Sequence, residues 1–129
     1  MREDLRELLK SAEEDLKLAR EIFRLCYYRH ACFLAQQAVE KLLKSFLLDK
    51  KGTYPFTHDI TLLINICKGI DLVFEYLLEI KADKLDKYYT GSRYPPMIEV
   101  SQEDAEEALG IAEKVRDFVL KKLNLLKDD

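Results

Sequence analysis

Four sets of side chains in this sequence are of types that could do chemistry, and each would do it by a different route. Arg24 and His30, with five residues between them, are sufficient in kind for metal-independent RNA cleavage: a guanidinium holds a phosphate through a planar fork of donors, and an imidazole passes protons near neutral pH. His58 and Arg93 are of the same two types but far apart in the chain, so only the fold can unite them. His58 is expected one residue inside a helix, at its positive end, where an imidazole works as a neutral donor or acceptor. Arg93 follows Tyr88 and Tyr89 and precedes Tyr94 and two prolines. Such a loop can stack on a nucleobase or grip a phosphate, and it can equally clip itself to a domain. The last set is the series Gln36, Gln37, Glu40, Lys41 and Lys44, whose donors and acceptors could line a groove or a subunit interface. On a solvated face, Glu40 with Lys44 is an i,i+4 ion pair worth only about 0.2–0.5 kcal/mol.

The elements that must position these groups are helices. Leu5, Leu8, Leu9, Ala12, Leu16, Ala19 and Phe23 recur every three or four residues and predict a first helix from about Glu3 to Leu25. A second helix, from about His30 to Leu48, is apolar round most of its circumference, and its polar residues form one narrow stripe. It belongs in the middle of a bundle. Lys50, Lys51 and Gly52 end it, and the uncharged loop Thr53–Phe56 leads to a short third helix capped by Thr57 and stopped at Gly69. Asp71 is the expected cap of a fourth helix, kinked or not, that reaches towards Thr90. Gly91 to Pro96 cannot continue it, since consecutive prolines remove donors and push Tyr94 out of the helical region. Ser101 with Asp104 three residues later opens the last helix, acidic at its start and basic near its end. The expected fold is all-α, an up-and-down bundle of about five helices, four long and one short, in a single domain spanning 1–129.

Composition narrows the function further. The net charge of -3, from 21 basic and 24 acidic residues, argues against wrapping duplex DNA. No run approaches the roughly 18 apolar residues of a membrane span and no basic leader precedes an apolar segment, so a cytoplasmic protein with no membrane contact is expected. Cys26, Cys32 and Cys67 match neither a disulfide framework nor a paired-thiolate zinc site and read as buried thiols. No metal and no cofactor is expected.

The run Ala31-Cys32-Phe33-Leu34-Ala35-Gln36-Gln37-Ala38-Val39-Glu40-Lys41-Leu42-Leu43-Lys44 closely resembles the signature helix of HEPN domains, the higher eukaryotes and prokaryotes nucleotide-binding family. Thr57-His58-Asp59-Ile60 resembles the family's threonine-histidine-aspartate segment, Ser92-Arg93-Tyr94-Pro95 its arginine-tyrosine-proline loop, and Ser101 to Ala112 its acidic, alanine-rich last helix. The resemblance covers nearly the whole chain. It implies a HEPN-like bundle that forms a homodimer, a minimal nucleotidyltransferase as partner in a two-component, toxin-antitoxin-like system, and a nucleotide or RNA as possible ligand. Relatives that are ribonucleases use an arginine and a histidine a few residues apart, late in the fold. Here Arg93 stands late with no histidine after it, so the resemblance does not carry catalysis over. The leading expectation is a non-catalytic module that binds a nucleotide or a partner through Gln37, Lys41, Lys44, His58, Arg93 and Tyr94. One alternative is a ribonuclease toxin using Arg24 and His30, or Arg93 with His58; another is a purely structural assembly partner.

Overall fold

Apolar residues at helical spacing make α1 (Glu3–Arg24), α2 (Tyr28–Lys51) and α6 (Gln102–Lys122) the three long elements of a helical bundle. The computed structural model describes residues 1–127, and in it α3 (Ile60–Ile70), α4 (Glu75–Glu79) and α5 (Lys87–Gly91) complete the fold, with no strand among the described residues. The second helix is the axis, packing against α1, α3, α5 and α6. Of its 24 residues 14 are buried, compared with five of the 22 in α1, as expected of a helix that is apolar on most sides.

Local chemistry sets the ends of these helices. At α6, Ser101 Oγ accepts the Asp104 N–H at 3.1 Å while the Asp104 carboxylate accepts the Ser101 N–H at 3.0 Å, so each satisfies an amide the helix leaves free. At the end of α2, Gly52 takes a φ of 79°, which costs a residue without a Cβ almost nothing.

Three expectations are corrected. The third helix starts at Ile60, because Asp59 rather than Thr57 takes the cap by accepting the Leu62 N–H at 3.0 Å, and the helix runs through Gly69 to Ile70. His58 therefore precedes the helix instead of lying inside it. The fourth helix is not long: Asp71 caps a single 3-10 turn, Leu72–Phe74, before α4, and Lys81 at φ 63° breaks the chain before a second 3-10 segment, Ala82–Asp86. Phe74, Leu77, Ala82, Leu85 and Tyr88 all reach the core from the two sides of this break. Finally, Cys26 is exposed at the α1–α2 junction with φ 67°, while Cys32 and Cys67 are buried.

Burial pushes the Cys32 thiol up to about 11 and that of Cys67 up to about 12, which leaves almost no thiolate in either at neutral pH. In native protein, an aromatic disulfide reagent is expected to titrate Cys26 quickly and the other two only after unfolding. Three equally fast thiols would contradict this packing.

Asp71 also ties the ends of the bundle together. Its carboxylate accepts from Lys122 Nζ at 2.7 Å and from the Val73 N–H at 3.0 Å, and the Lys122 bond is the main reason it is held below the usual carboxylate range. A carboxyl more acidic when folded than when unfolded stabilises the fold above its unfolded value of about 4 and loses that contribution as pH falls through the folded one. Urea midpoints should therefore fall on acidification below pH of about 4 by less in Asp71→Asn than in the wild type. An identical fall would separate Asp71 from acid stability.

Candidate functional site

Gln36, Glu40 and Lys44 lie four residues apart on α2, so they line up on one face, and that face is covered. Gln36 is 0 %, Glu40 5 % and Lys44 7 % exposed. The stripe expected to line a groove or a subunit interface is, at these three residues, an internal polar seam, in which each member needs partners. Glu40 supplies most of them: Oε2 accepts from Lys44 Nζ at 2.9 Å, and Oε1 accepts from Gln36 Nε2 at 3.3 Å. Gln37 donates to Gln36 Oε1 at 2.7 Å, extending the seam towards the surface. The Lys44 ammonium also lies 5.4 Å from the centre of the Tyr54 ring in the following loop.

The seam surfaces at His58. Its Nδ1 is 3.0 Å from Glu40 Oε1, and because a carboxylate only accepts, Nδ1 is the donor in this contact. The His58 side chain is 53 % exposed. Its backbone carbonyl accepts from Gln36 Nε2 at 3.3 Å, so both ends of the residue are tied to α2.

The next layer is aromatic. His58 stacks on Tyr89, with ring centres 4.1 Å apart and planes inclined by 15°. The Arg93 guanidinium sits 4.4 Å from the centre of that same Tyr89 ring, 5.0 Å from Phe33 and 5.2 Å from Tyr94. Arg93 Nε donates to the Tyr89 carbonyl at 2.9 Å, and the Arg93 and Tyr94 amides both donate to Thr90, so the last turn of α5 aims the side chain. No carboxylate pairs with Arg93 among the described residues.

One residue holds this layer against α3. Asp86 accepts from the Ile60 N–H at 2.6 Å, the Thr61 N–H at 3.2 Å and Thr61 Oγ1 at 2.6 Å. It fixes the start of α3, two residues after His58, to the turn that carries Tyr89. The site therefore has two cations, Arg93 and Lys44, one internal anion, Glu40, and an imidazole between them. Such a set can receive an anionic group beside a flat ring.

Of the six residues singled out for binding, the fold gathers Gln37, Lys44, His58, Arg93 and Tyr94. Lys41 faces elsewhere, its Nζ held by Asp15 at 2.6 Å and Ser11 Oγ at 2.7 Å on α1. His58 and Arg93 share the Tyr89 ring, so that pair is united. Arg24 Nη1 donates to Glu21 at 2.7 Å on the surface, and His30 is exposed, edge-on to Tyr27. Asp86 and Phe33 were missed. No pattern local to either marks it, since each meets its partners across a long stretch of chain.

The HEPN domain model matches residues 5–123. The protein named "Putative toxin MJ1304" of Methanocaldococcus jannaschii is 32% identical over 136 residues, covering 91% of this chain and 89% of that one. The crystal structure of TT1696 from Thermus thermophilus superposes with a TM-score of 0.78 at 37% identity, covering 92% of this chain and 97% of its own. That of ST0689, described as an archaeal HEPN homologue, gives 0.70 at 29% with the same coverage.

Proposed function

The chain belongs to the HEPN domain family, and from that membership we propose that it is a non-catalytic binding module, the companion of a minimal nucleotidyltransferase in a toxin-antitoxin-like pair. Its site takes a nucleotide, or the equivalent group on the partner, with the anion on Arg93 and the base or ring against Tyr94. The observation that carries this reading is the Arg93 guanidinium, set among three aromatic rings and committed to no carboxylate among the described residues. An arginine so placed keeps its fork for a ligand while the rings hold its plane. The relative that bears the name "Putative toxin MJ1304" supports the toxin-antitoxin half of this reading. The module works as a homodimer, for which the apolar groove of Leu18, Ile22, Phe33 and Leu34 is the supporting surface, since Phe33 also touches Arg93.

Calorimetric titration with ATP, GTP and short RNA tests the nucleotide half. Arg93→Ala is expected to weaken binding by about 1.5–3 kcal/mol, roughly tenfold to a hundredfold, as befits loss of a hydrogen bond to a charged group. No binding in the millimolar range by wild type and variant alike removes it.

A second reading, a ribonuclease using Arg93 and His58, is favoured by the Glu40–His58 contact, because a buried carboxylate that holds Nδ1 leaves Nε2 as the nitrogen that can exchange a proton beside a phosphate-holding arginine. Cleavage of total RNA that survives His58→Ala excludes it.

A further inference from the structure

The loop between α2 and α3 carries a ring at every second position, Tyr54, Phe56 and His58. Phe56 is wholly exposed, more so than any other large apolar side chain among the described residues. A lone exposed ring is ordinary on a protein surface, but this one is held from both sides. Before it, the Gly52 carbonyl accepts from Arg2 Nη1 at 3.4 Å, the Tyr54 ring lies 5.4 Å from the Lys44 ammonium, and Pro55 fixes its own φ and narrows the backbone of Tyr54. After it, the Asp59 N–H donates to Thr57 Oγ1 at 3.1 Å, and His58 is tied to Glu40 and stacked on Tyr89. The loop is therefore pinned while its central ring stands in water. A ring presented in this way loses little conformational freedom when a flat group stacks on it.

Its place relative to Arg93 gives the ring a use. The Cα atoms of Phe56 and His58 are at most about 7 Å apart, and the Arg93 guanidinium lies 4.4 Å from the centre of the Tyr89 ring on which His58 stacks. At the other end of the loop, Lys51 is exposed and forms no ion pair among the described residues, whereas Lys50 beside it lies 3.7 Å from Asp49. The row of rings thus runs between two cations that no carboxylate holds. The loop's own carboxylate, Asp59, is turned to the Leu62 amide at the start of α3. Rings that take successive bases, beside cations that take the phosphates, are what a single strand of nucleic acid requires. A mononucleotide on Arg93 and Tyr94 leaves Phe56 and Lys51 unused.

Resting on the nucleotide reading of the Arg93 site, we propose that Phe56 is a second base-stacking position, so that the site takes two or more linked nucleotides of a single strand, one phosphate on Arg93 and a neighbouring base on Phe56. Calorimetric titrations with ATP and with the RNA hexamer hexaadenylate test it. Phe56→Ala, which removes a ring that packs against nothing, is expected to weaken hexaadenylate about tenfold and to leave ATP unchanged, while Arg93→Ala weakens both. Phe56→Trp should keep the affinity for hexaadenylate. Since the chain has no tryptophan, that variant carries a single indole, whose fluorescence hexaadenylate should quench and ATP should not. Hexaadenylate that binds wild type and Phe56→Ala equally, or leaves the indole unquenched, overturns the second position and leaves the Arg93 reading to the ATP result. Hexaadenylate binding that depends on Phe56 where ATP does not bind upholds the second position and removes the mononucleotide. No binding of either in the millimolar range overturns both.

Discussion

Glu40→Ala is expected to destabilise the protein by about 3–5 kcal/mol, a large part of the roughly 5–15 kcal/mol a domain of this kind has. The reason is what it leaves behind. Lys44 is 7 % exposed and its ammonium bonds Glu40 at 2.9 Å, so removing the carboxylate strands a cation away from water. Gln36 and His58 lose an acceptor in the same step. Glu40→Gln keeps one accepting oxygen and should cost less. The double change Glu40→Leu with Lys44→Met should recover most of the loss, because replacing a buried ion pair by apolar groups of similar volume is often neutral. Urea unfolding of the three variants measures these differences. Glu40→Ala within about 1 kcal/mol of wild type would mean that water reaches the seam.

Asp86→Ala should lower the melting temperature by roughly 10 °C, from a loss of about 2–4 kcal/mol. One carboxylate serves two backbone amides at the start of α3 and a hydroxyl, and alanine replaces none of those acceptors. The more telling consequence is local. His58 precedes that helix start and Tyr89 follows Asp86 by three residues, so the 4.1 Å stack depends on the clamp between them. The His58 ring protons lie over the Tyr89 ring, and their chemical shifts should move towards those of a free imidazole in the variant. Shifts that stay put while stability falls would show that Glu40 alone positions His58.

How far the site could be read in advance differs from residue to residue. Glu40 and Lys44 were legible as an i,i+4 pair, yet an isolated helix gives that pair a few tenths of a kcal/mol, whereas under cover its disruption is worth several. His58 was recognisable as a functional type, but its start-of-helix position shifted when Asp59 took the cap in place of Thr57. Arg93 with its tyrosines stood out by composition. Its commitment to Phe33 on α2 did not.

Periodicity and punctuation along the chain determined the long helices, the central place of α2, the capping box at Ser101 and the glycine stop at Gly52, because each depends only on neighbours within a turn or two. Tertiary packing alone decided that the polar stripe runs inside the protein, that Asp86 joins α5's turn to α3, that His58 meets Arg93 across Tyr89, and that Lys41 turns away to Asp15. Burial and partnership between distant residues are properties of how helices pack, and the spacing of side chains on any one helix does not contain them.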